Sequence, residues 1–115
     1  MEMHVEPLGE AITKVTLIGR LDMAGAAQID LKFSVIAGSE KKILVDMSQV
    51  DYLASIGIRT LVTGARTAKL KKGKMVLLNL QPNVENVLRI SGVVAVLPVF
   101  QDLQQACNAL ASGEN

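Results

Sequence analysis

Two continuous apolar runs, separated by a helical pattern, constrain the fold of this chain more than any other feature. The runs KILVDM at 42–47 and KMVLLNL at 74–80 have the length and β-branched content of strands buried on both faces. Between them, apolar spacing predicts a helix over 55–72, closed by Gly73 with lysines in its last turn. A strand, a helix and a second strand in this order imply parallel strands joined by a right-handed crossover.

A hairpin and a first helix precede this unit. The segments MHVEPL, GEA and ITKVTLIG predict two strands joined by a short turn, and Pro7 places the first strand at a sheet edge because it cannot donate a ladder hydrogen bond. Apolar spacing then predicts a helix over 24–37, which Gly38 ends. Its inner stripe should consist of Ala26, Ile29, Phe33 and Ile36, and its outer face should carry Leu31 and Val35.

The C-terminal part completes a small α/β domain. We predict a helix after Pro82, an edge strand at 94–100 because of Pro98, and a terminal helix over 102–111 with Leu103, Ala106 and Leu110 at helical spacing. The order β-β-α-β-α-β-α-β-α fits one mostly parallel sheet flanked by helices. We therefore expect a single domain over 1–115, with its core at about 4–110.

Composition excludes several kinds of chemistry. The net charge is +1 with 20% charged residues, so no overall field draws the chain to nucleic acid or an anionic membrane. His4 and Cys107 are the only histidine and cysteine, which excludes disulfides, a Cys/His metal cage and a serine–histidine triad. With no leader sequence and no apolar run of membrane-spanning length, we expect a cytoplasmic protein without cofactor or metal.

Enzyme motifs are also missing. The segment KLKKGKM is not a P-loop, since Ala68 and Met75 stand where that motif needs glycine and a hydroxyl residue. No G-x-G-x-x-G follows a strand, and ASIG does not match the G-x-S-x-G elbow. Asp46 is expected to end its strand, with Ser48 and Asp51 in the following loop rather than in acid–base roles. We therefore predict that the chain is not an enzyme.

Ser55, in the segment DYLASIGI, lies where the third strand passes into the second helix. Its hydroxyl is well placed to cap that helix, because serine is among the best N-cap residues. The inward side of the helix should consist of Ile58, Leu61, Val62, Ala65 and Ala68. The outward side should consist of Ile56, Arg59, Thr63, Arg66 and Leu70. We expect Ile56 to be directed into solvent, and this side is a candidate docking surface.

The chain resembles the STAS domain, the module of bacterial anti-sigma factor antagonists and of sulfate-transporter tails. GRLDMAGAAQI at 19–29 is similar to the family's G-x-L-D segment and first helix. LVDMSQVDYLASIGI at 44–58 is similar to its strand, loop and S-x-G signature, and VLRISGVVAVLPVF at 87–100 to the segment before its last strand. Ala54 and Ile56 replace the acidic and small polar residues that many antagonists have there.

The resemblance implies an anti-sigma factor antagonist. Its unphosphorylated form would bind an anti-sigma factor with serine kinase activity and free the sigma factor. Phosphorylation at Ser55 would end this binding, and a serine phosphatase would restore it. From the near-neutral charge and the lack of a long apolar run, we expect no nucleic-acid partner and no direct membrane insertion. The implied partner-binding residues are Asp22, Met23, Asp51, Ala54, Ser55, Ile56, Gly57, Arg59, Thr63 and Arg66.

Two other functions stay open. STAS modules also occur as scaffold subunits of stressosomes and of membrane lipid-transport complexes. In that case the outer stripe of the first helix would be a permanent subunit contact, formed by Leu31 and Val35 with Ala24 and Ala27. The other alternative is a nucleotide-binding regulatory module, which thermal stabilisation by nucleotides would reveal.

Overall fold

In the part of the chain that the structure describes, a five-stranded sheet and four helices form the domain. The structure is a computed structural model that describes residues 1–9 and 11–112. The strands follow one another across the sheet in chain order; β1 and β2 are antiparallel and the remaining pairs are parallel. The predicted α/β class and element order are confirmed. The elements are β1 Glu2–Leu8, β2 Ile12–Leu21, α1 Met23–Ser39, β3 Lys42–Leu53, α2 Ser55–Leu70, β4 Lys74–Leu78, α3 Pro82–Ile90, β5 Val99–Phe100 and α4 Leu103–Ala111.

The sheet buries apolar side chains on both faces, as the continuous runs predict. In β3, Ile43 and Val45 join the larger core with side chains of α1, α2 and α3, whereas Leu44 joins a smaller core under α4. Phe33 of α1 and Leu61 of α2 are fully buried in the larger core. The helix pair α1 and α2 is therefore fixed against the sheet by the same core.

The first helix is longer than predicted. It begins at Met23 and continues through Gly38 to Ser39, so the prediction that Gly38 ends it is wrong. The helical ladder continues beyond Gly38, since the backbone N–H of Glu40 donates to the Ile36 carbonyl at 3.0 Å. Ile36 is only half-buried, and Ala37 takes the fully buried position. Leu31, at 80% exposure, and Val35 lie on the outer face as predicted.

Strand β3 also extends beyond its predicted end. Asp46 lies inside the strand, and Ser48 and Asp51 belong to it rather than to a loop, so those predictions are wrong. The pairing register shifts opposite this point, between Thr16 and Ile18 of β2. The Asp46 carboxylate accepts the Ser48 N–H at 2.9 Å, which satisfies a backbone donor at the irregularity. The long partner strand β2 then keeps β3 paired to its end.

The C-terminal elements agree with prediction in type and differ in length. Only Val99–Phe100 of the predicted strand at 94–100 pairs with β4, at the edge of the sheet. Asp102 caps α4 by accepting the Gln104 N–H at 2.8 Å, and Leu103 is exposed rather than inward. At the opposite edge, Pro7 lies in β1 as predicted, while Glu10 of the predicted turn lies outside the described residues.

Candidate functional site

The N-termini of α1 and α2 lie side by side at the carboxyl ends of β2 and β3. The Ala54 N–H donates to the Leu21 carbonyl at 3.0 Å and ties the two junctions together. A Cβ atom added at Gly25 would lie 2.1 Å from the Arg20 carbonyl oxygen, and one at Gly57 would lie 2.5 Å from the Leu21 carbonyl oxygen. Both glycines are therefore required by close approach of backbone, and they let each helix begin directly at a strand end.

The two junctions have related sequences, DMAG and ASIG, but different caps. In α1, Asp22 is the N-cap and its Oδ1 accepts the Gly25 N–H at 2.8 Å. In α2 the N-cap is Ala54, which has no side-chain acceptor. The prediction that Ser55 caps α2 is wrong, because the bond to Leu21 holds Ala54 at the extended N-cap position. Ser55 is instead the first helical residue, and it is exposed.

Charged and aromatic side chains fix Asp22 at this edge of the sheet. The Gly25 N–H holds the pKa of the Asp22 carboxyl below its ordinary value of 3.8; desolvation opposes this shift, and Arg20 supports it. Arg20 Nε lies 3.4 Å from Asp22 Oδ2. The Arg20 guanidinium also lies 4.2 Å from the centre of the Tyr52 ring. Asp22 is therefore an ionised N-cap whose carboxylate is held by the Gly25 N–H and by Arg20.

A shallow groove runs between α1 and α2 beside these caps. We call it the α1–α2 groove; its lining residues are Met23, Ala26, Ala27, Asp30, Ile56, Arg59, Thr60 and Thr63. Met23 is 75% exposed, whereas Ile56 is half-buried against the core and is not solvent-directed as predicted. The groove thus combines apolar side chains with one carboxylate, Asp30, and one guanidinium, Arg59. Such a lining suits a protein partner better than a small, highly charged ligand.

The structure brings most of the predicted partner-binding residues together. Met23, Ile56, Arg59 and Thr63 line the α1–α2 groove, and Ala54 and Ser55 lie one and two residues before Ile56. Asp22 precedes Met23 as the cap of α1. Gly57 is buried, so its contribution is to the backbone geometry rather than to a contact surface.

Two predicted residues lie apart from the groove. Asp51 is an exposed residue of β3 whose carbonyl accepts the Asn83 amide at 2.9 Å, on the side of α3. Arg66 lines a separate groove with Lys69 and Val96.

Sequence reasoning found Met23 on the α1 side of the α1–α2 groove but did not name Asp30 or Ala27 as partner-binding residues. Ala27 follows Met23 by four residues and Asp30 follows Ala27 by three, and this helical spacing is the signal that could have found them. Their pairing with α2 depends on how closely the two helices approach. A Cβ atom added at Gly64 of α2 would lie 2.5 Å from the Phe33 ring, so this glycine permits the close contact.

Metal-binding clusters and membrane-spanning helices are not found among the described residues. Within 1–9 and 11–112, no group of three His, Cys, Asp or Glu side chains is placed to hold a metal ion. In the same residues, every helix is too short or too polar to cross a bilayer. What the site does present is an exposed serine beside a groove lined by both apolar and charged side chains.

The fold and this junction define a class of protein. The family model of the STAS domain matches residues 7–106, and the chain belongs to that family. BtrV of Bordetella bronchiseptica, named as a candidate anti-sigma factor antagonist, is 29% identical over 94 residues, which are 81% of each chain. STAS antagonists are regulatory binding proteins.

Several solved structures with this fold carry the same description. An anti-sigma factor antagonist from Mycobacterium paratuberculosis superposes with a TM-score of 0.83 at 22% identity, over 95% of this chain and 92% of that one. The anti-sigma factor antagonist SpoIIAA in its unphosphorylated form has a TM-score of 0.77 at 21% identity, over 99% of this chain and all of that one. These likenesses confirm the fold.

Proposed function

We propose that this chain is an anti-sigma factor antagonist controlled by phosphorylation of Ser55. The observation that carries the proposal is the exposed Ser55 at the first position of α2, beside the α1–α2 groove, in a STAS domain. The unphosphorylated chain binds an anti-sigma factor that is also a serine kinase, and the sigma factor is released. The chain acts by binding, in the cytoplasm, and catalyses no reaction itself.

The surface around Ser55 gives a physical reason for such a switch. A phosphate adds roughly −1.5 to −2 charges at neutral pH. It would stand one residue before Ile56, which lines the groove together with apolar Met23 and the Asp30 carboxylate. A partner that buries these side chains would have to desolvate the phosphate, so docking is weakened by desolvation and, where the partner is acidic, by repulsion.

The fold should tolerate this phosphate. Ser55 lies at the positive end of the α2 dipole, and no side chain caps that end. The fold likeness to SpoIIAA extends to its phosphorylated form, with a TM-score of 0.70 at 21% identity over 94% of this chain. A serine phosphatase acting on phospho-Ser55 would complete the cycle.

Phosphate mapping and binding test the proposal together. The purified chain is incubated with ATP and each anti-sigma factor kinase encoded in the same genome, and modified residues are mapped by mass spectrometry. We expect Ser55 to be modified and Ser55→Ala to remain unmodified, with Thr63→Ala as the control for a neighbouring hydroxyl. By calorimetry, Ser55→Ala should bind the kinase and Ser55→Glu should bind at least about tenfold more weakly. Modification elsewhere, together with normal binding by Ser55→Glu, would reject the switch.

One observation favours a second function, a subunit of a larger assembly. Leu31 and Val35 form an exposed apolar stripe on α1, on the face that points away from the core. A permanent partner would cover this stripe. Co-purification of the tagged chain with membrane proteins and an ATPase in fixed stoichiometry, lost in Leu31→Lys but kept in Ser55→Glu, would favour this function over the antagonist.

A further inference from the structure

A concentrated basic surface lies at the end of β3 opposite to Ser55. We call it the basic end; it is formed by residues 40–42 and 66–74. These two segments contain seven of the chain's 12 lysines and arginines but only one of its 11 acidic residues, Glu40. The rest of the chain has five basic and ten acidic residues. The near-neutral total of +1 therefore conceals two oppositely charged parts.

Hydrogen bonds join the two segments into one surface. The Lys41 amino group donates to the Lys71 carbonyl, and the Lys74 N–H donates to the Lys41 carbonyl at 2.7 Å. Lys42 and Lys74 are aligned in the pairing of β3 with β4. Glu40, the one acidic residue of these segments, accepts the Thr13 hydroxyl at 2.8 Å. The cations are thus held together by the fold as well as by proximity in sequence.

Exposed aliphatic side chains lie among these cations. Leu70 is 83% exposed between Lys69 and Lys71, which are both exposed as well. Val96 is 42% exposed and shares a groove with Arg66 and Lys69. A lysine cluster that surrounds an exposed leucine can contact lipid phosphates and the acyl boundary at the same time.

We infer that the basic end binds the surface of an anionic lipid bilayer. Lysine and arginine side chains contact the phosphate headgroups, and Leu70 enters the headgroup region without any segment crossing the membrane. A nucleic acid would also attract the charges, but it gives Leu70 no apolar contact. Residues 40–42 and 66–74 contain no aromatic side chain on which bases could stack. The bound orientation turns Ser55 and the α1–α2 groove away from the bilayer, so this inference is independent of the antagonist function.

Vesicle co-sedimentation of the full chain tests the inference. The probes are phosphatidylcholine vesicles with and without phosphatidylglycerol, at low and high salt. We expect binding only to the anionic vesicles, and a steep loss at high salt because the contact is screened. The triple variant Lys69→Gln, Lys71→Gln, Lys72→Gln should bind on the order of 100-fold more weakly. The triple control Lys14→Gln, Lys32→Gln, Arg89→Gln removes the same charge elsewhere and should bind within about twofold of the wild type.

The variant Leu70→Ala distinguishes binding to a bilayer from binding to other polyanions. It keeps every charge and should weaken vesicle binding about five- to tenfold. Circular dichroism of each variant verifies that it is folded. Equal binding to neutral and anionic vesicles, equal losses in the two triple variants, or an unchanged affinity of Leu70→Ala would each overturn the inference. Tighter binding to a DNA duplex than to anionic vesicles at the same salt would overturn it in favour of nucleic acid.

Discussion

The missing cap of α2 predicts that a single substitution will stabilise the domain. Ala54 has φ −100° and ψ 168°, an extended conformation that suits an N-cap residue. At the equivalent position of α1, Asp22 has φ −103° and ψ −165° and caps the Gly25 N–H at 2.8 Å. Ala54 and Gly57 have the same spacing as Asp22 and Gly25. Ala54→Asp therefore places a carboxylate within reach of the Gly57 N–H, which in the wild type donates to the Ala54 carbonyl at 2.9 Å.

The expected gain follows from measured caps in other proteins. Replacing alanine by aspartate, asparagine or serine at an N-cap contributes about 1 kcal/mol to the free energy of unfolding. For a domain of this size, an increase of about 1 kcal/mol in the free energy of unfolding raises Tm by about 4 °C. We therefore expect Ala54→Asp, Ala54→Asn and Ala54→Ser each to raise Tm by about that amount at pH 7. Thermal unfolding followed by circular dichroism measures it, with Asp22→Ala as the opposite perturbation.

The outcome distinguishes a general cap from a purely electrostatic effect. If the side chain acts as a cap, the uncharged Ala54→Asn keeps most of the gain. A gain seen only with aspartate would mean that the charge near the helix dipole dominates. If all three variants leave Tm unchanged while Asp22→Ala lowers it, the two junctions are not equivalent and the reasoning fails.

Three further predictions concern the same helices and their core. The pKa of Asp22 is lower in the folded state than its ordinary value of 3.8. The Asp22 charge therefore stabilises the fold at any pH above 3.8, and this stabilisation is lost as the pH falls through the lower pKa of the folded state. The Tm difference between wild type and Asp22→Asn should therefore shrink below pH 3.8, and a difference that grows there would contradict the assigned cause. In urea unfolding, Gly57→Ala should lower the free energy of unfolding by about 3 kcal/mol, because the added Cβ would lie 2.5 Å from a backbone oxygen. Gly38→Ala should raise it by about 0.5 kcal/mol, because its Cβ meets only an ordinary contact at 3.8 Å. Leu61→Ala should lower the free energy of unfolding by about 3 kcal/mol, because the Leu61 side chain is fully buried. Leu31→Ala should lower it by less than about 0.5 kcal/mol, because Leu31 is 80% exposed. Similar losses in the two variants would refute the assigned core.

Local patterns in the sequence were sufficient for the order and type of the elements. The apolar runs identify β3 and β4, Pro7 identifies an edge strand, and Leu31 and Val35 lie on the outer face of α1 as their spacing predicts. Features set by contacts between distant residues were not predictable. The polar residues Ser48, Gln49 and Asp51 remain in a strand because β2 extends beside this part of β3.

The same distinction explains the outcome at the candidate site. Either Ser55 or Ala54 could have been the N-cap of α2, and the bond from the Ala54 N–H to the Leu21 carbonyl, made between distant residues, places Ala54 there. Asp30 enters the α1–α2 groove because Gly64 lets α2 approach Phe33. Total charge likewise gives no indication of the basic end, which the pairing of β3 with β4 assembles.

The uncapped start of α2 also bears on the proposed switch. At α1 the anion near the helix N-terminus is part of the sequence, as Asp22, whereas at α2 no side-chain anion caps the helix. Phosphorylation of Ser55 would supply one, so the same modification that weakens docking should strengthen the helix that carries it. A variant with Ala54→Asp would already have a negative charge at that position. Phosphorylated Ser55 should therefore raise Tm more in the wild type than in Ala54→Asp, because in the variant the two anions repel each other and compete for the same backbone donors.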